Sequence, residues 1–239
     1  MKRIFGNSAI TINRAADLAS IIDHTSLRPE ATAAAIEALC QEARHYAMAA
    51  VCVNPGRLSV AARALSGSGV KLCTVIGFPL GADARQVKRY AAEHALLAGA
   101  DEIDMVIDIG AVKDGDYAVI AAEIAEIIEL KSRHDFVLKA IVETALLSIS
   151  ELTLVTKLIG DSGADFIKTS TGFAARGASV ENIKCINAAR PPHLKIKASG
   201  GIRTLEQALE LVAAGADRLG CSGSVAIIEE FSRRQEAMA

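Results

Sequence analysis

Short apolar runs alternate with longer, alanine-rich amphipathic segments along the whole chain. A short apolar run bounded by turn residues reads as a buried strand, and apolar positions recurring every three or four residues read as a helix packed on one face. On this basis residues 14–20 form a leading helix, residues 21–25 a first strand and residues 30–46 the helix after it. Further strands fall at 50–54, 70–76, 102–107, 136–143, 166–169, 194–198 and 217–221. Pro55 suits the first turn of the helix after strand two. Asp83 is positioned to cap a helix running to Leu97 and closed by Gly99, and a long helix is expected over 116–131. Helices over 150–159 and 179–189 follow, then one capped by Thr204 and closed by Gly215, and a last one reaching about Arg233.

Eight strand–helix units in unbroken series imply parallel strands, because each crossover is a helix. Eight such units in this length close into a (β/α)8 TIM barrel, here with a short extra N-terminal helix and as a single domain over residues 1–239. An open doubly wound sheet would want fewer units and a GxGxxG turn after the first strand, which this chain lacks. The phrases Ala98-Gly99-Ala100-Asp101, Ser162-Gly163-Ala164-Asp165 and Ala214-Gly215-Ala216-Asp217 each stop a helix and lead into a strand. They punctuate barrel units; they are not a solenoid repeat.

Composition narrows the partners. A formal net charge of -2 and an aromatic content of 4% offer neither the basic surface nor the stacking platforms that nucleic acid requires. The five cysteines are odd in number and never at CxxC spacing, as expected of buried thiols in a reducing compartment. Asn7, Ser8, Thr11, Asn13 and Arg14 interrupt any signal-like run after Met1-Lys2-Arg3, and no stretch approaches a membrane span. The expectation is a soluble, cytoplasmic protein with no membrane partner.

Chemistry in a TIM barrel sits at the C-terminal ends of the strands. There, Asp165-Phe166-Ile167-Lys168-Thr169-Ser170-Thr171-Gly172 carries one lysine out of an apolar strand into a hydroxyl-rich turn. A poorly solvated ammonium has a lowered pKa and becomes available as a nucleophilic amine. Strand seven adds Lys195 and Lys197 on one face, strand four Glu102, Asp104 and Asp108, and strand five Lys139 and Glu143. A second ammonium beside Lys168 would favour its neutral form, and a shift from about 10.4 to about 7 corresponds to roughly 4–5 kcal/mol. A nearby carboxylate such as Asp104 could carry protons. The residues alone leave open a purely structural ion-pair layer in the barrel mouth. Gly200-Gly201 after strand seven and Gly220-Cys221-Ser222-Gly223-Ser224 after strand eight, with Arg203 nearby, fall where this fold recurrently holds phosphate. Of the five histidines only His24 lies at the catalytic end of a strand, where a local hydrogen bond beside Asp23 is expected; no metal and no cofactor are called for.

With Lys168, Lys197 and Asp104 in place, the chain resembles the deoxyribose-phosphate aldolase family. The stretches that carry the likeness are Asp23-His24-Thr25, Glu102-Ile103-Asp104-Met105-Val106-Ile107, Phe166 to Gly172, and Lys197-Ala198-Ser199-Gly200-Gly201-Ile202-Arg203-Thr204. The resemblance implies a metal-independent class I aldolase that reversibly cleaves 2-deoxy-D-ribose 5-phosphate to acetaldehyde and glyceraldehyde 3-phosphate. It implies Lys168 as the Schiff-base lysine, Lys197 as the lysine that lowers its pKa, and Asp104 as the proton relay. It places Asp23, Thr25, Cys52 and Thr169 near the sugar, and Gly172, Gly200, Gly201, Arg203, Gly220 and Ser222 at the phosphate. Homo-oligomers, dimers or higher, are also expected of such a barrel.

The chain departs from the family in four places. Cys221-Ser222-Gly223-Ser224 alters the loop after strand eight, and Phe173 stands where some members have lysine, with Arg176 further on as a substitute. Asp108 replaces a frequent asparagine, and the chain ends Glu236-Ala237-Met238-Ala239 without the tyrosine that closes some members. Two rivals share the phosphate loops: a sugar-phosphate isomerase or synthase using acid–base chemistry alone, and a non-catalytic sugar-phosphate-binding barrel.

Overall fold

The computed structural model describes residues 10–237, so the readings on Met1-Lys2-Arg3, Asn7 and Ser8 and on Met238-Ala239 lie outside it. Eight strands, β1 (Ile22–Ser26), β2 (Ala50–Val53), β3 (Lys71–Ile76), β4 (Glu102–Val106), β5 (Val137–Ile141), β6 (Phe166–Lys168), β7 (Lys195–Ser199) and β8 (Arg218–Cys221), form a closed barrel in chain order. Every neighbouring pair is parallel, and β8 returns to β1 through Asp23 opposite Gly220.

The helices are α1 (Ala15–Ala19), α2 (Ala33–His45), α3 (Leu58–Leu65), α4 (Arg85–Leu97), α5 (Ile109–Asp114), α6 (Tyr117–Ile128), α7 (Ile149–Asp161), α8 (Val180–Ala189), α9 (Leu205–Ala214) and α10 (Ser224–Glu236). Thr32, Ser148, Ser179 and Thr204 cap α2, α7, α8 and α9 through their hydroxyls, and Ser148 and Thr204 complete capping boxes with Glu151 and Gln207. No helix among the described residues is long and apolar enough to cross a membrane.

The structure corrects three boundaries. α4 begins after Ala84 without a side-chain cap, so Asp83 does not cap it. The expected long helix ends at Ile128 and tightens into a 3-10 turn over Glu129–Ser132. The additional α5 is capped by Asp108, whose carboxylate accepts from Ala111 N at 3.0 Å. Aspartate and asparagine are comparable N-caps, which accounts for the departure at this position.

The apolar core lies between sheet and helices, where Ile22, Val51, Ile103, Leu138, Ile167, Ile196 and Leu219 face outward and are buried. Burying each such side chain contributes about 1.5–3 kcal/mol. The inward positions are different. Alternation along each strand sends Asp23, Cys52, Cys73, Asp104, Lys139, Lys168 and Lys197 into the barrel. Its interior is therefore charged.

Candidate active site

Buried charges need partners, because an uncompensated one is very costly. Inside the barrel four cationic side chains, Lys139, Lys168, Lys197 and Arg218, meet three carboxylates, Asp23, Glu102 and Asp104. Asp104 is the hub. Its Oδ1 accepts from Lys139 Nζ at 2.8 Å, and its Oδ2 accepts from both Lys168 Nζ and Lys197 Nζ at 2.7 Å. The Lys168 and Lys197 nitrogens therefore lie within twice that distance of each other. Lys197 also donates to Asp23, and Arg218 donates to the other Asp23 oxygen at 2.7 Å. Lys139 lies 2.5 Å from Glu102 Oε2, close enough to pair but off-angle for a hydrogen bond.

These contacts decide the charge states. Burial opposes the charge on Asp104, but Lys139, Lys168 and Lys197 outweigh it and hold the carboxyl well below its usual range. Asp23 is lowered in the same way, against burial, by Lys197, Arg218 and Lys139. Burial likewise opposes the ammonium of Lys197, yet Asp104 and Asp23 hold it above the ordinary lysine range; Lys139 is raised against burial chiefly by Asp104. Cys52 and Cys73 face each other across β2 and β3. Burial pushes the Cys73 thiol up, and its hydrogen bond to Cys52 draws that thiol down.

Above this layer opens a cavity of about 470 Å³, walled by the loops after β1, β6, β7 and β8. Of the residues singled out in the sequence, Lys168, Thr25, Gly172, Gly200, Gly201, Arg203, Gly220 and Ser222 line it. Asp104, Lys197, Asp23 and Cys52 belong to the buried layer beneath. Thr169 is not brought to the cavity: its hydroxyl donates to Ser199 O at 3.2 Å and accepts from Ser199 N at 3.1 Å, stitching β6 to β7. Its place on the strand turns it away from Lys168. A wider surface groove of about 720 Å³ between α2 and α3 holds none of these lysines.

The glycines have structural reasons. A Cβ on Gly220 would stand 3.1 Å from Lys197 Cε, so the bare backbone leaves room for that side chain. A Cβ on Gly177 would stand 2.0 Å from Gly200 O, because the loops after β6 and β7 pack backbone against backbone. At the last loop, Gly223 starts α10 with no side-chain cap, leaving helix N–H groups free for an anion.

Several residues are differently placed from expectation. His24 makes no local bond beside Asp23. Strand alternation sends it outward, where Nε2 lies 2.7 Å from Glu42 Oε2 and Nδ1 lies 3.1 Å from Ser224 Oγ. Lys195 shares its face with Lys197 but sits at the opposite end of the barrel, exposed, over the Phe166 ring. Phe173 lines the cavity and packs edge-to-face on Phe78 at 5.3 Å. Arg176 does not line the cavity, whereas Arg28, unremarked in the sequence, does. Arg218 was also missed, although its position two residues before Gly220 put it on the inward face of β8.

The chain is similar to known proteins over most of its length. The model of the DeoC/LacD family aldolase matches residues 18–226. The deoxyribose-phosphate aldolase of Clostridium perfringens (strain SM101 / Type A) is 47% identical over 212 residues, covering 89% of this chain and 94% of that protein. That of Thermococcus gammatolerans is 47% identical over 215 residues, covering 89% and 96%. A tetrameric deoxyribose phosphate aldolase from Aeropyrum pernix superposes with a TM-score of 0.85 at 35% identity, over 91% of this chain and 92% of that one.

Proposed function

Since the chain belongs to the DeoC/LacD family of aldolases, we propose that it cleaves 2-deoxy-D-ribose 5-phosphate reversibly to acetaldehyde and glyceraldehyde 3-phosphate, through a Schiff base on Lys168. The observation that carries this reading is Lys168 Nζ at the cavity floor, bonded to the same Asp104 oxygen as Lys197. Four cationic side chains face three carboxylates, so one amine has no carboxylate of its own. That member is Lys168, which has one carboxylate contact, shared with other lysines, and which lines the cavity.

The neutral amine adds to the C1 aldehyde of the open-chain sugar, and loss of water gives an iminium. Acetaldehyde takes two carbons, so the bond that breaks is C2–C3. Its electron pair flows into the iminium to leave an enamine on Lys168, while the C3 hydroxyl loses its proton and becomes the aldehyde of glyceraldehyde 3-phosphate. Protonation of the enamine at C2 and hydrolysis release acetaldehyde and free Lys168. Asp104 and Lys197 supply and remove the protons. No step calls for a metal.

Borohydride reduction with acetaldehyde, followed by peptide mass mapping, tests the covalent step. The expected adduct is on Lys168. An adduct on Lys197 would exchange the two roles, and none on either lysine would leave the isomerase and binding-protein readings.

The phosphate is assigned to Ser222, Gly200, Gly201, the free N-terminus of α10, and Arg203 across the cavity. Arg203→Ala should raise KM for the 5-phosphate about 10-fold, as loss of one charged hydrogen bond of about 1.5 kcal/mol requires, and leave KM for unphosphorylated 2-deoxyribose unchanged. An equal rise for both sugars would remove Arg203 from the phosphate site. Assembly into homo-oligomers belongs to the same proposal, supported by the exposed apolar stripe Val87, Tyr90 and Leu97 on α4. So does a cytoplasmic location, which suits five free thiols.

A further inference from the structure

The ladder between β5 and β6 contains one irregularity, and it lies beside Lys168. Val142 N donates to Lys168 O at 3.0 Å, and Thr144 N donates to Thr169 O at 2.8 Å. The chain advances two residues after β5 for one after β6, so Glu143 is the extra residue of a bulge. Its backbone stands at φ 49° and ψ 70°, the left-handed region that side chains other than glycine and asparagine avoid.

A bulge re-aims the side chain it carries. Here the buried carboxylate is turned onto a single residue of the turn that follows Lys168. Glu143 Oε2 accepts from Thr171 N at 3.1 Å and from Thr171 Oγ1 at 2.5 Å. Thr171 Oγ1 then accepts from Phe173 N at 3.0 Å, so one carboxylate holds the stretch from Thr171 to Phe173 along the cavity wall. Glu143 Oε1 is buried without a hydrogen-bond partner, and among the described residues no cation pairs with the carboxylate. A strained backbone and an unsatisfied buried oxygen both cost stability, and such costs persist where surrounding structure imposes them, most often at functional sites.

We infer that Glu143 is a positioning residue of the reaction, clamping the Thr171–Phe173 wall so that substrate enters in line with Lys168. The inference rests on the aldolase reading above. It assigns to the end of β5 a role in turnover distinct from Schiff-base formation.

The test compares E143A, E143Q, T171V and the E143A/T171V double variant with the 5-phosphate sugar, and traps acetaldehyde on Lys168 with borohydride. E143A should lose about 10²-fold in kcat/KM, most of it in kcat, the scale of a small misplacement at a reacting centre. Acetaldehyde should still be trapped on Lys168. E143Q, whose amide oxygen can still accept from Thr171 N, should recover about 10-fold of that loss. The double variant should be no worse than E143A, because both changes remove the same clamp. E143A activity within threefold of the unaltered protein, or additive losses in the double variant, would overturn the inference. If E143A fails to fold, E143Q in the T171V background decides: its own loss must vanish there. Failure to trap acetaldehyde on the unaltered protein would instead overturn the aldolase reading.

Discussion

Lys168→Ala should lower cleavage of 2-deoxyribose 5-phosphate by at least about 10⁴-fold, the scale on which enzymes lose turnover when a nucleophile is removed. Among the described residues no other lysine lines the cavity: Lys197 and Lys139 are buried beneath it and held as ammonium ions by Asp104 and its neighbours. The variant should nevertheless fold at least as stably as the parent. Removing Lys168 leaves Asp104 paired with Lys139 and Lys197, so no buried charge loses its last partner. Loss of activity without loss of stability is the signature of a residue retained for chemistry at the expense of the fold. Turnover assays and thermal melts on the same preparation check both halves. Retained turnover would sink the Schiff-base assignment, and a marked fall in Tm would show that Lys168 belongs to the structural ion pairs.

The barrel was legible because its signal is repeated eight times: an apolar run, a glycine or hydroxyl turn, an amphipathic helix. Lys168, Asp104 and Lys197 were legible because a charge inside an apolar strand has few places to go. What stayed hidden depends on side chains meeting across the barrel. Lys139 was read as a polar residue of strand five but not as a partner of Asp104, and Arg218 was not read at all; both meet their carboxylates only across strands. Thr169 was expected at the sugar, yet it stays in the ladder with β7, and Thr171, further along the turn past β6, lines the cavity instead. His24 was placed by its neighbours in sequence, whereas its partners come from α2 and α10. The bulge at Glu143 has no signature at all, since a glutamate is not the residue that a left-handed backbone selects.

Asp104→Asn should do the opposite of Lys168→Ala to stability. The change leaves three buried lysines around a neutral amide and takes one negative charge out of the cluster. Removing one partner of a buried ion pair costs about 3–5 kcal/mol, which for a chain of this size corresponds to a fall in Tm of roughly 6–20 °C. Turnover should fall by about 10²–10⁴-fold as the proton carrier is lost. The pH dependence follows from the same contacts. Asp104 and Asp23 sit below the usual carboxylate range in the folded protein, so their stabilisation is complete above about pH 4 and is lost as the pH falls further. The variant should therefore lose less stability on acidification than the parent, from a lower starting point. Adding K168L to D104N removes the one lysine of the cluster left without a carboxylate partner and should restore part of the lost stability while leaving turnover absent. Thermal melts of the parent, both single variants and the double variant between pH 3 and pH 7 measure this coupling. If D104N melts with the parent, or if K168L deepens its loss, the buried charges do not act as one cluster.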